Sequence, residues 1–337
     1  MFDNTIMQLP KITIITPSYN QGQYLEQTIL SIISQGYENL EYIIIDGGST
    51  DNSVDIIKKY QHYLYYWISE KDNGQSDAIQ KGLSKATGDI FNWINSDDYL
   101  EPNALAAIAK AFLKNPTKRI ICGYTHCFYD EDGSESHTYR MGIRKTVAET
   151  IMNVEMNQPG SFYSLNTISE LGGLNVSLRY VFDGELWFRF LCKYGLDAVG
   201  FTDVLLAHFR LHKTSKSVGD GFFEFYKEFL NIHLFIAEQM QLPPLFVAYL
   251  KHEQYISRYV NAVWDFQMLE KDNMYNFFAN KYKYLLYKDR AYNDAKTGLK
   301  ESFKNRIFTD WKQQIFLGMK LLMPKRILNA IRDIKNR

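Results

Sequence analysis

The tetrapeptide Asn95-Ser96-Asp97-Asp98 places two adjacent carboxylates at the end of a largely apolar run, residues 89–94. Two readings are open. One is a strand end passing into a helix cap, where Ser and Asp are favoured. The other is a metal and phosphate site at the carboxyl edge of a sheet. Tyr19, Asn20, Asp46 and Asp51 stand at the ends of comparable runs, and such residues on successive strands suggest a shared pocket. An Asp beside an anionic diphosphate implies a cation between them. Mg2+ and Mn2+ suit this role, taking one or two carboxylates and completing their shell with phosphate oxygens. An Asp can also accept a hydrogen bond from a ribose hydroxyl or a base N–H. On this reasoning Asp46 is placed for base or ribose, and Asp97-Asp98 for ribose and metal.

The elements that would position these residues alternate in period. Residues 11–20, KITIITPSYN, read as a buried strand stopping at Pro17. Leu25, Ile29, Ile32 and Ile33 then recur at helical spacing. LEYIIIDGGSTD is a second strand, and Asp51 or Ser53 could cap the helix SVDIIKKYQ. LYYWISE, QSDAIQKGLSKA and DIFNWINSDD continue the alternation, which predicts a parallel sheet with right-handed crossovers. Neither GxGxxG nor a Walker A loop is present, which argues against a dinucleotide dehydrogenase and a P-loop NTPase. Beyond residue 120 the pattern loosens, with Asp132-Gly133 suited to a hairpin turn.

Composition sets outer limits. At 337 residues, 46% hydrophobic and 23% charged, the chain is of globular type, and its zero net charge gives no bias toward nucleic acid. Cys122, Cys127 and Cys192 form no even set and read as structural free thiols. With no secretory leader pattern and no apolar run of about 20 residues, a cytoplasmic protein is expected.

The stretch ITIITPSYNQGQYLEQTILSIISQGYENLEYIIIDGGSTDNS, with DNGQSDAIQKGLSKATGDIFNWINSDD, resembles the family 2 glycosyltransferases of GT-A fold. It covers about residues 11–102, with scattered support to residue 217. The resemblance implies a Rossmann-like, mostly parallel α/β sheet flanked by helices. It also implies inverting transfer from a nucleotide sugar, of uridine type, with Mn2+ or Mg2+. The acceptor would be a glycan or lipid-linked molecule of bacterial surface-polysaccharide synthesis. By the resemblance Pro17 and Tyr19 flank the base, Asp46 binds it, Asp97 meets the ribose and Asp98 the metal. Asp72 and Asp77 fall in the family's variable donor region. NSDD stands where the family carries Asp-x-Asp, which leaves Asn95 without a role.

In YVFDGELWFRF, Asp183 resembles the family's catalytic base, although Phe182 replaces the acid that usually precedes it. Glu185 is the alternative base, and an acid-dressed helix N-terminus is the bland reading of both. Leu186, Trp187 and Phe190 are spaced to bury one helical face, and Arg189 reads as a surface or ion-pairing residue. His212 resembles a late histidine that completes the metal site or meets the diphosphate; a structural histidine is the other reading. VLLAHFRLH alternates as a strand and could present His208 or His212, while Lys213, Lys216 and Ser217 could neutralise phosphate. Gln158, before a Pro-Gly turn, corresponds to an acceptor-side position.

A boundary near Gly219-Asp220-Gly221 divides a catalytic unit, residues 1–218, from an aromatic-rich helical region, residues 219–337. Residues 311–337 carry seven Lys or Arg against Asp333, with apolar residues at helical spacing. This suits either a helix on an anionic membrane surface or a solvated basic face. Two other functions suit the sequence less well. A sugar nucleotidylyltransferase would want a Gly-rich basic loop after the first strand, where TPSYNQGQYLEQ has one Gly and no Lys or Arg. A non-catalytic adaptor is opposed by the set Asp46, Asp98 and Asp183.

Overall fold

Strands β1 (Ile12–Ser18) and β2 (Leu40–Asp46) are apolar runs buried almost throughout, the mark of strands covered on both faces. The computed structural model describes residues 9–130, 136–213, 215–216, 221–241 and 262–274. In it β1 lies between β2 and β4 (Ile90–Trp93), and β2 pairs with β3 (Tyr66–Ser69); all three pairings are parallel. Helices α1 (Gly22–Ile33), α2 (Ser53–Tyr60) and α3 (Gln75–Leu83) supply the crossovers. The alternating half of the fold therefore forms as its periods predict. Pro17 does not end β1: the strand continues to Ser18. It lies past the last β1–β4 pair, Ile15↔Trp93, near a strand exit where a missing N–H is tolerated.

The second half is mixed rather than parallel. After β5 (Tyr99–Leu100) and α4 (Ala104–Lys114), the long strand β6 (Ile120–Tyr129) pairs antiparallel with β7 (His137–Arg140). Their turn, with Asp132-Gly133, lies outside the described residues. Helix α5 (Val147–Met152), β8 (Ser161–Ser164) and α6 (Leu165–Glu170) follow, then α7 (Phe182–Tyr194) and β9 (Val199–Leu211). The sheet order is β3-β2-β1-β4-β8-β6-β9-β5, with β7 on β6. Strand β8 runs antiparallel to both β4 and β6, so it joins the two halves.

Side chains alternate across the sheet into two cores. Ile12, Ile14 and Ile44 meet Leu25, Ile29 and Ile32 of α1 on one side. Ile15, Ile43, Ile45 and Trp93 meet Leu186, Trp187 and Phe190 of α7 on the other. Each such side chain contributes about 1.5–3 kcal/mol by leaving water. Helix α8 (Gly221–Gln239) packs Leu230, Ile232 and Ala237 into the α7 core, so the expected boundary at Gly219–Gly221 does not separate two cores. Residues 262–269, read as helical from their period, are irregular; Met268 instead donates its N–H to the Cys192 carbonyl at 2.9 Å. The basic stretch 311–337 lies outside the described residues.

Candidate active site

Parallel pairing brings Ser18, Asp46 and Ser69 to one sheet edge in register. Asp46 is fully enclosed there. Its Oδ2 accepts hydrogen bonds from Gly48 N–H (3.1 Å), Ser49 N–H (2.9 Å) and the Ser69 hydroxyl (2.7 Å), and its Oδ1 from the Ser49 hydroxyl (2.5 Å). This carboxylate, expected to meet base or ribose, thus acts as the knot of the loop after β2. That loop needs its glycines. Gly48 has φ +83°, and a Cβ on Gly47 would stand 2.6 Å from Asp72 Oδ2. Asp51 fastens two helix starts at once, accepting from Gly22 N–H (2.9 Å) and Ser53 N–H (3.0 Å). Burial opposes its charge, but the hydrogen bonds from Ser53 and Gly22 outweigh burial and hold its pKa below the usual value.

Above this knot, Tyr19 is 60% exposed, an aromatic face available to a flat ligand. Asp72 is half-buried, accepts from Gly74 N–H at 2.8 Å, and has its pKa raised mainly by burial. Asp77 turns back to accept from Asn73 N–H at 3.0 Å in the first turn of α3. That is a local capping contact. Pro17, expected to flank the base, is buried within β1.

The two carboxylates of Asn95-Ser96-Asp97-Asp98 point to different surroundings. Asp98 is buried, with Oδ1 accepting from Arg210 N–H and Oδ2 from the Asn95 amide, both at 3.0 Å. Burial first, then the charge of Asp97, raises its pKa well above the carboxylate range. Asp97 is the outward acid, its Oδ2 3.0 Å from His212 Nε2. The ligand role expected of Asp98 is therefore geometrically open to Asp97 instead. Asn95 also gains a role, because its Oδ1 accepts from Gln75 at 2.6 Å. Gln75 in turn accepts from Lys216 Nζ at 2.9 Å. An acid at position 95 would set a second carboxylate against Asp98, whereas the amide can donate to it.

Arg210 is the residue that sequence reasoning passed over. It donates to the Asp97 carbonyl (3.0 Å) and to Gln27 (2.6 Å), pairs with Asp130, and lies over the Tyr24 ring at 4.8 Å. The signal was present, since His208, Arg210 and His212 share one side of an alternating strand. Thr28 of α1 adds a hydroxyl that donates to the carbonyls of Ser96 (2.9 Å) and Asp98 (2.6 Å). Arg210→Met is expected to lower stability by about 1.5–3 kcal/mol through the lost charge-assisted bonds. Urea unfolding would show it as a lower midpoint with an unchanged slope.

Asp183 lies in the first turn of α7. It is half-buried, and Oδ1 accepts from Gly184 N–H at 2.8 Å. Burial pushes its pKa up to about 6, against the lowering effect of its backbone hydrogen bonds and of Lys216. Lys216 is exposed along its stem but crowded at its ammonium. Burial and Arg179 draw its pKa below the usual lysine value, while Asp183, Glu228 and Asp97 pull the other way. Glu185, the alternative base, is 0% exposed and grips Arg189, whose Nε lies 2.9 Å from each carboxylate oxygen. Arg189 also donates to the carbonyls of Leu171 and Gly173. Glu185 is thus a core ion pair with no path to a substrate. Gln158 donates to the Trp93 carbonyl (2.7 Å) and Asn92 Oδ1 (3.1 Å), tying the β8 approach to the end of β4. His208 pairs with Glu101 at 2.5 Å, away from Asp97.

Among the described residues no group of three or more His, Cys, Asp or Glu could hold a metal. The pair Asp97 and His212 does fit a cation that draws its remaining ligands from substrate phosphate and water. Either Mn2+ or Mg2+ meets that description.

The sequence model of glycosyl transferase family 2 matches residues 13–166. An uncharacterized glycosyltransferase of Rickettsia typhi is 26% identical over 214 residues, covering 60% of this chain and 64% of that protein. One of Haemophilus influenzae is 35% identical over 132 residues, 38% of this chain and 52% of that protein. The chain therefore spans under two thirds of these relatives' length. The crystal structure of S. aureus TarS 1-349 with UDP-GlcNAc superposes with TM-score 0.55 at 16% identity, covering 88% of this chain and 82% of that one, a likeness of fold. Among the described residues no helix is long and apolar enough to cross a membrane. Residues 13–166, which contain Tyr19, Asp46, Asp97 and Asp98, are thus similar to glycosyl transferase family 2, and the mixed α/β sheet is of GT-A type.

Proposed function

We propose that this chain transfers a sugar from a nucleotide-sugar donor, a UDP-sugar, to a hydroxyl of a glycan or lipid-linked acceptor, inverting the anomeric centre. The observation that carries this reading is the pairing of Asp97 with His212, with Lys216 bearing by charge on both Asp97 and Asp183, whose pKa is about 6. A carboxylate of that basicity is ionised at neutral pH and still able to take a proton. Asp183 removes the acceptor proton as that oxygen attacks the anomeric carbon, and the nucleoside diphosphate leaves from the opposite face. Tyr19 offers its ring to the base, and the Asp46 loop with Asp72 borders the nucleoside. Asp97 and His212 would hold the Mn2+ or Mg2+, which would supply positive charge against the diphosphate. Lys216, shared between Asp97 and Asp183, adds a second positive charge. Gln158 braces the acceptor side through β4 and β8. Bacterial surface-polysaccharide synthesis would supply such acceptors.

The test is thermal unfolding of the full chain with UDP-GlcNAc, UDP-glucose and UDP-galactose, each with and without Mn2+. A cognate donor at a hundred times its Kd adds about 2.7 kcal/mol of stability, and Asp97→Asn should remove most of the Mn2+-dependent part. No stabilisation by any nucleotide sugar would overturn the reading.

A further inference from the structure

Three consecutive backbone N–H groups lead into α7, and all three converge on one side chain. Arg179, Tyr180 and Val181 donate to the Glu228 carboxylate at 2.8, 2.7 and 2.9 Å. Glu228 lies on α8, outside the span that the family match covers, and Val181 is two residues before Asp183. Unpartnered N–H groups at a helix start need an acceptor, and a carboxylate is the strongest available. The chain has Phe182, not an acid, immediately before Asp183, so the second carboxylate at this helix start arrives from another element.

We propose that Glu228 is a positioning residue for the base: its carboxylate gathers the N–H groups of residues 179–181 and thereby fixes the start of α7 that carries Asp183. The inference rests on Asp183 acting as the base in the proposed reaction. Helix α8 is suited to such a brace because it is itself anchored. Phe229 and His233 pack on Phe188 of α7, and Leu230, Ile232 and Ala237 enter the same core. Lys216 completes the frame from the far side, donating to the Arg179 carbonyl at 3.2 Å. The segment entering α7 is therefore held at its N–H groups by α8 and at one carbonyl by the segment after β9.

Glu228 also acts on Asp183 by charge. The groups that bear on Asp183 are Lys216 after β9, Glu228 on α8, Tyr139 on β7 and Tyr163 on β8. Burial keeps both tyrosines protonated, so Lys216 and Glu228 are the charges in opposition. Glu228 favours the protonated form of Asp183 and Lys216 the ionised form. Removing the Glu228 charge leaves Lys216 and the helix start unopposed, which makes Asp183 a weaker base.

The experiment compares Glu228→Gln, which loses the charge and keeps one of the two acceptor oxygens, with Glu228→Ala, which loses every bond. The Asp183 carboxyl is followed by carbon-13 NMR titration of the full chain, its signal assigned by Asp183→Asn. Glu228→Gln should move the midpoint below its wild-type value near 6, and the acidic limb of UDP release from the UDP-sugar substrate should move with it. Glu228→Ala should lower kcat by about 10- to 100-fold, the scale of a misplaced catalytic group, with donor KM held. A Glu228→Ala protein that keeps the wild-type kcat, with the wild-type titration midpoint in Glu228→Gln, would overturn the proposal. If Asp183→Asn still turns over donor, the base assignment fails instead, and the NMR midpoint separately decides what Glu228 does.

Discussion

Asp183→Asn is expected to lower transfer by about 10²- to 10⁴-fold, the usual contribution of a positioned general base, while leaving donor affinity unchanged. Asn can still accept from Gly184 N–H, so the start of α7 keeps its geometry and only the proton acceptor is lost. The wild-type rate should fall as pH drops below about 6, because Asp183 is then protonated; the variant's residual rate should lack that limb. Stability moves the other way. The folded-state pKa of Asp183 lies above the ordinary value of 3.8, so the fold favours its protonated form. That contribution is complete below pH 4 and lost as pH rises through 6, where the fold must accommodate a half-buried charge. The Asn variant escapes this cost and should be the more stable at pH 7.5, by on the order of 1–3 kcal/mol. An inactive and more stable variant is what a destabilised catalytic group predicts. An inactive and less stable one would mean that Asp183 is structural.

How much of this was legible differs between the two halves of the chain. The alternation from β1 to β4 could be read because each strand is a short apolar run and each helix shows its own period. The part from β6 to β9 could not be ordered, since β8 enters between β4 and β6 by pairings distant in sequence. Among the site residues, the strand-end positions of Asp46 and Asp97-Asp98 were visible, but the direction each carboxylate faces was not. That direction is set by a turn in which Asp98 N–H reaches the Asn95 carbonyl at 3.0 Å, and by Arg210, over a hundred positions away. Asn95 had no reading because its partner Gln75 belongs to another helix. Glu228 had none because nothing local marks a side chain that caps a different helix.

The Glu185–Arg189 pair shows the opposite case, where the sequence held the decisive spacing. A Glu and an Arg four positions apart on a helix meet as a matter of geometry, and here the pair is wholly buried. Burial raises the Glu185 pKa while Arg189 lowers it, so its charge depends on that guanidinium. Arg189→Leu should therefore destabilise the fold by about 3–5 kcal/mol, the cost of leaving a buried ion without its partner. It also strips the donors from the Leu171 and Gly173 carbonyls, at a turn where Gly172 and Gly173 both have positive φ. Replacing both residues, Glu185→Leu with Arg189→Leu, should recover much of that loss, because apolar pairs of similar volume often match or exceed a buried ion pair. Urea unfolding of the single and double variants measures the coupling directly. The same double variant separates the two candidate bases. If Glu185 is only a core ion pair, the folded fraction of the double variant keeps its kcat, and if that kcat collapses while donor still binds, Glu185 takes part in the chemistry after all.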